Sequence, residues 1–145
     1  MKIMAVDFGD ARTGVAVSDE GELLVGQTAV VQARKAEKAA EEVAALAEKL
    51  GAEELVVGLP KNMDGSEGPR AALCRDFAAL LEKCAGKPVR LWDERRTTVD
   101  AHRILSDNRV FGKKRKNVVD AVAASLILEG YLGYRKNQSA EPKAE

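Results

Sequence analysis

Apolar positions along this chain follow two rhythms. KIMAVD (2–7) is apolar almost without break up to Asp7, the pattern of a strand buried on both faces. After a GDAR turn, TGVAVS (13–18) reads as a second strand. DEGE then reads as a hairpin turn into LLVGQTAVVQ (23–32), which completes an antiparallel meander. The rhythm next becomes helical. Ala36, Ala39, Ala40, Val43, Leu46, Ala47 and Leu50 recur at three- and four-residue steps, and Gly51 ends the helix. ELVVGLP (54–60) is a short continuous strand, followed by the polar loop KNMDGSEG. Pro69 suits a first helical position, and Leu73, Phe77, Leu80, Leu81 and Cys84 form the expected apolar stripe of that helix. Pro88 introduces the strand VRLW. Thr97 or Thr98 caps a short helix to about Ser106, a basic loop follows, and a last helix over 118–132 is apolar nearly all round and expected to be deeply buried. Residues 136–145 read as a flexible tail after a single domain over 1–135.

The order β-β-β-α-β-α-β-α-α belongs to the α/β class. Helical crossovers make the fourth and fifth strands parallel to a neighbour. The wholly apolar first strand must be central, which gives a five-stranded mixed sheet of order 3-2-1-4-5 flanked by helices. The carboxyl ends of strands one, four and five then share one rim, where open α/β sheets bind ligands.

Asp7 and the Asp93–Glu94 pair fall on that rim, and Asp120 joins them only if the basic loop carries the chain back to it. Asp7 ends strand one, Asp93 and Glu94 end strand five, and Asp120 lies near the start of the last helix. Each has an ordinary explanation. An Asp after a strand forms turns, Glu94 could pair with a nearby arginine, and Asp120 at the third helical position after Asn117 would favour the helix dipole. Alternation puts Asp93 and Glu94 on opposite faces, so only one of them faces the site. Together, carboxylates on one rim suit Mg²⁺ or Mn²⁺, and two such ions about 4 Å apart stabilise the charge that phosphodiester hydrolysis creates.

Composition narrows the chemistry. The 145 residues include 2 Cys and 1 His, with no close-spaced zinc pattern. A histidine base is therefore disfavoured, and Cys74 and Cys84 read as buried or half-buried thiols on different faces of one helix. Net charge is zero, yet residues 95–116 hold eight Lys/Arg against Asp100 and Asp107, a local excess of six. Such a patch binds phosphates while the neutral total limits non-specific binding. No apolar run is long enough for a bilayer and the start has no signal-peptide layout, so the expected location is cytoplasmic, with no membrane partner. Gly9 and Gly14 permit close backbone approach, and Arg12 could reach a phosphate.

The segments VDFGDARTGVAVSD, VVGLPKNMDGSEGPRA, DERRTT and KKRKNVVDAVAASLILEGYL together resemble the YqgF family, also called RuvX-like proteins, over Ile3 to about Leu132. The resemblance implies a ribonuclease H-like fold and a metal-dependent endonuclease of the 16S ribosomal RNA precursor, or else a Holliday junction resolvase acting on branched DNA. It implies Asp7, Glu94 and Asp120 as catalytic, metal-binding acids for two Mg²⁺ or Mn²⁺ ions. It also implies Lys114, Arg115 and Lys116, with Arg12, Arg95 and Arg96, as contacts to nucleic acid. Gly9, Gly14, Asn62, Thr97 and Thr98 would border the site. Arg96 stands where the family has a hydrophobic residue. A non-catalytic nucleic-acid-binding module is the competing class, and the chain is expected as a monomer or homodimer.

Overall fold

This computed structural model describes residues 1–21, 25–96 and 112–140, with side chains over 1–21, 25–95 and 120–136. Strands β1 (Lys2–Asp7), β2 (Arg12–Ser18) and β3 (Val25–Gln32) form the meander. Helix α1 (Ala36–Leu50), strand β4 (Ala52–Leu59), helix α2 (Pro69–Ala85) and strand β5 (Val89–Asp93) follow. Glu94–Arg96 make a 3₁₀ turn, and helix α3 runs Gly112–Ala140. The sheet order is β3-β2-β1-β4-β5, with β1–β4 and β4–β5 parallel and the meander antiparallel. The expected order is borne out.

Alternation on the central strands divides the core. Met4, Val6, Val15, Leu55 and Val57 pack with α1 and α2 residues such as Val43 and Phe77. Ile3, Ala5, Ala16, Val56 and Trp92 pack with Ile127, Leu128 and Leu132 of α3. The sheet is thus the middle of three layers, which explains why Ile3–Val6 of β1 and Leu55–Val57 of β4 are apolar without a break. Helix ends follow their local chemistry. Gly51 and Gly86 stand in the left-handed region with φ +78 and +63, and Pro69 opens α2.

Three expectations need correction. The stripe of α2 is Ala71, Cys74, Phe77, Ala78 and Leu81, whereas Leu73 is 48% exposed and Cys84 is exposed. Phe77 and Leu81 fit both stripes. Packing chose the face whose alanines let α2 approach α1, and a pattern that counts only large residues misses that. Second, α3 is longer than the apolar run at both ends. Lys113–Lys116 are helical and not a loop, and the helix continues through Ala140. Lys and Arg favour helix about as well as Leu and Met do, and no proline interrupts the segment. Third, α3 is not buried all round. Ala124, Ile127, Leu128, Tyr131 and Leu132 form one buried face, while Glu129 and Gly133 are exposed. Its small residues cover the sheet as an outer layer.

The expected short helix from Thr97 or Thr98, together with His102, lies outside the described residues, as do 141–145. Among the described residues no helix is long and apolar enough to cross a membrane.

Candidate active site

The face that packs against α3 carries the acids. Asp7 follows Ile3 and Ala5 by the alternation of β1, so it points to the α3 side of the sheet. Gly14 is its cross-strand partner on β2. Above Gly14 lies the backbone of Asp120: a β-carbon there would stand 2.1 Å from the Asp120 carbonyl oxygen. The bare glycine is what lets α3 come down onto the strand that neighbours Asp7. Asp120 is eight residues into α3, so Asn117 is no cap, and the helix-start explanation of this carboxylate falls.

Glu94 arrives from the other side. Trp92 packs into the α3-facing cluster, and Glu94, two residues on, has its carboxylate over Gly58 of β4. A β-carbon at Gly58 would meet Glu94 Oε1 at 2.5 Å and Ile127 Cδ1 at 2.6 Å. Asp93 goes elsewhere, its carboxylate bound by the Arg95 guanidinium at 2.7 Å. Only one acid of the pair faces the site, as alternation requires. Gly58→Ala should therefore act on the site more than on the fold, because its nearest neighbours are the free ends of side chains. The expected stability loss is about 1–2 kcal/mol by chemical denaturation. Mn²⁺ affinity by calorimetry should fall by more than that stability loss would suggest, since Glu94 must swing away.

The electrostatics show how crowded the acids are. Burial, then Glu94, then Asp120 push the Asp7 carboxyl up from 3.8 to about 7, and Arg70 partly opposes them. Burial also raises Glu94, again against Arg70, with Asp93 adding to the rise. Arg70 is the residue that the sequence reading missed. It sits just inside the start of α2, donates to the Phe8 carbonyl oxygen and to Asp10 Oδ1 (2.9 Å), and lies 5.5 Å from the Phe8 ring centroid. Its only signal in the sequence is a cation directly after Pro69, at a helix start that faces the rim.

Arginines latch the acids around this rim. Arg12 Nε donates to Asp120 Oδ2 at 2.9 Å, Arg70 holds Asp10, and Arg95 holds Asp93. Arg12 and Arg95, expected as contacts to nucleic acid, are each engaged with a carboxylate. Gly9 faces the Arg12 carbonyl oxygen so closely that a β-carbon would stand 2.2 Å away. Asn62 builds the β4–α2 turn, its amide donating to Ser66 Oγ at 3.0 Å. Lys114, Arg115 and Lys116 lie in the first two turns of α3. Their side chains, that of Arg96, and the whole of Thr97 and Thr98 are outside the described residues.

Among the described residues, no three acidic, His or Cys side chains stand close enough to chelate an ion as they lie. The donor set still fits a hard divalent cation. It offers carboxylate oxygens alone, and the negative charges of Glu94 and Asp120 beside Asp7 favour a cation there. Arg12 engages one oxygen of Asp120, Oδ2.

Comparisons with known proteins agree with this architecture. Residues 1–134 match the model of the family RuvX, described as Holliday junction resolvase. A Halothermothrix orenii protein named "Putative pre-16S rRNA nuclease" is 49% identical over 136 residues, covering 93% of this chain and 96% of that protein. A protein of the same name from Desulfitobacterium hafniense is 41% identical over 143 residues, covering 99% of each. Among solved structures, T. thermophilus RuvC in complex with a Holliday junction substrate superposes with a TM-score of 0.62 at 14% identity, over 98% of this chain and 99% of that one. Fowlpox virus resolvase with Holliday junction DNA gives 0.52 at 11% identity, over 98% and 100%. At these identities the structures establish the shared, ribonuclease H-like fold.

Proposed function

This chain belongs to the RuvX family, and from that premise we propose that it is a divalent-cation-dependent endonuclease that matures the 16S ribosomal RNA precursor. The observation that carries the reading is that Asp7, Glu94 and Asp120 lie on one face of the rim, close enough that the charges of Glu94 and Asp120 add to burial in raising the Asp7 carboxyl. A purely structural trio of acids would cost stability for no return. Asp7, Glu94 and Asp120 would hold Mg²⁺ or Mn²⁺, and two ions suit the count of acids. When bound, such ions activate water and stabilise the charge that develops on the phosphate oxygens. Asp7 contributes by giving up its proton near neutral pH, which couples cation uptake to pH. Arg12 and Arg70 neutralise the incoming phosphodiester. Arg95, Arg96, Lys114, Arg115 and Lys116 extend this to the flanking backbone, while Gly9, Gly14 and Asn62 shape the rim; Thr97 and Thr98 follow it in sequence.

The family description and the likeness to RuvC favour a second reading, resolution of four-way DNA junctions. That activity needs two sites related by a two-fold axis, hence a homodimer, whereas one site suffices for a precursor RNA. The test offers purified protein both a precursor ribosomal RNA fragment and a four-way DNA junction, with Mn²⁺ and with chelator. The expected result is cation-dependent cutting of the RNA. Structure-selective cutting of the junction alone transfers the function to junction resolution. Binding of both with no cleavage in Mg²⁺ or Mn²⁺ makes the protein a nucleic-acid-binding module.

A further inference from the structure

Asp7 ends β1 and Arg12 begins β2, so one short turn (8–11) joins an acid of the site to the arginine that holds another acid, Asp120. The far end of this turn is tied to its own sheet. Ala33 N–H donates to the Ala11 carbonyl oxygen at 3.2 Å, and Gly9 lies against the Arg12 carbonyl. The near end is tied to α2. Phe8 stacks on Phe77 with ring centroids 4.2 Å apart, and it packs against Leu59, Ala71 and Cys74. Arg70 completes the attachment. Its Nη2 donates to the Phe8 carbonyl oxygen, its Nη1 donates to Asp10 Oδ1 at 2.9 Å, and its guanidinium lies 5.5 Å from the Phe8 ring centroid.

Two observations set Arg70 apart from an ordinary surface cation. It stands in the first turn of α2, directly after Pro69, where the helix dipole disfavours positive charge, and no acid in that turn offsets it. Its charge also reaches Asp7 and Glu94, drawing both carboxyls down against burial. A cation this close to the carboxylates works against uptake of a metal ion by them. Its contribution to a metal site is therefore geometric. A planar fork holds a main-chain carbonyl and a carboxylate at once, and a held carbonyl at residue 8 restrains the residue before it.

We propose that Arg70 is a positioning residue that clamps the Phe8–Asp10 turn to α2, and so holds Asp7, and through Arg12 also Asp120, in place to receive a divalent cation. This role precedes the substrate and is separate from the charge that Arg70 offers a phosphate. It rests on the nuclease reading for the kind of cation. Groups that orient a metal ligand from behind carry about ten- to hundredfold in metal affinity.

The test reads Mn²⁺ affinity by calorimetry without nucleic acid, then cleavage of a precursor ribosomal RNA fragment across Mn²⁺ concentrations. Arg70→Gln should bind Mn²⁺ about tenfold more weakly than wild type. Loss of a nearby positive charge would by itself tighten that binding, so the sign of the change separates clamp from charge. Arg70→Lys keeps the charge but loses the fork, and its affinity should fall between the two. Melting temperatures in chelator check that each variant is folded, and where Gln prevents folding the same criterion applies to Lys. The kcat of Arg70→Gln should climb toward the wild-type value as Mn²⁺ is raised. An arginine serving phosphate alone would instead raise KM at every Mn²⁺ concentration. Mn²⁺ affinity equal to or tighter than wild type overturns the clamp, as does a wild-type protein that binds no Mn²⁺. Weaker Mn²⁺ binding by Arg70→Gln, in a protein whose wild type cuts neither RNA nor DNA, upholds the clamp and sinks the nuclease reading instead.

Discussion

Asp7→Asn should yield a protein that is inactive and more stable than wild type. Loss of divalent-dependent cleavage follows from removing the carboxylate at the centre of the trio. The gain in stability follows from its pKa, raised from 3.8 to about 7. In the unfolded chain Asp7 ionises near 3.8, whereas in the folded chain it keeps its proton until about pH 7. The folded state therefore binds more protons across that window, and stability of the metal-free protein falls as pH rises through it. Above pH 7 the whole penalty is present, at most roughly 4 kcal/mol for a shift of this size. Asn cannot ionise, so at pH 8 the variant should gain between about 1 and 4 kcal/mol by urea denaturation. Below pH 3.8 the two curves should meet. Mn²⁺ should raise the wild-type melting temperature at pH 8 and leave the variant nearly unmoved. A variant that cleaves at full rate would remove Asp7 from the chemistry. One that is less stable than wild type at pH 8 would remove the charge crowding on which the metal reading depends.

The second large effect is expected at Gly14. Its missing β-carbon would stand 2.1 Å from the Asp120 carbonyl oxygen and 2.6 Å from the carbonyl carbon. These are backbone atoms of a helix, and they cannot rotate away as a side-chain end can. Gly14→Ala must lift α3 or bend β2, and overpacking of this kind costs on the order of 3 kcal/mol. For a chain of this size that is a fall of roughly 10 °C in melting temperature. Activity should fall further than stability, because the same displacement separates Asp120 from Asp7. Calorimetry with parallel cleavage assays measures both. An unchanged melting temperature would mean that α3 does not rest on this glycine.

The acids of the site were legible to different depths. Asp7 and Glu94 close strands whose apolar patterns place them on one rim, and pairing rules supply the order of those strands. Choosing Glu94 over Asp93 needs only alternation plus the knowledge of which face α3 covers. Asp120 was harder. Its local sequence looks like a helix start, and only the longer helix, continuous through Lys113–Lys116, turns it into an interior residue that lies over Gly14. Arg70 was not legible, because its role comes from two segments far apart in sequence, the Phe8–Asp10 turn and the start of α2. The stripe of α2 misled for a related reason, since alanine is equally at home on a buried or an exposed face.

By itself, then, the sequence determined the elements, their order in the sheet and the rim on which Asp7 and Glu94 lie. Those depend on period, turn chemistry and connection rules, all of which act over short stretches of chain. Tertiary structure alone decided how α3 seats on the sheet, which arginine answers which carboxylate, and how far Asp7 is pushed toward neutrality. Those depend on close approach at Gly14 and Gly58 and on charges from β1, the 3₁₀ turn after β5 and α3 meeting in one partly buried place. Coulombic and steric terms of that kind follow distance in space, and no pattern along the chain encodes it.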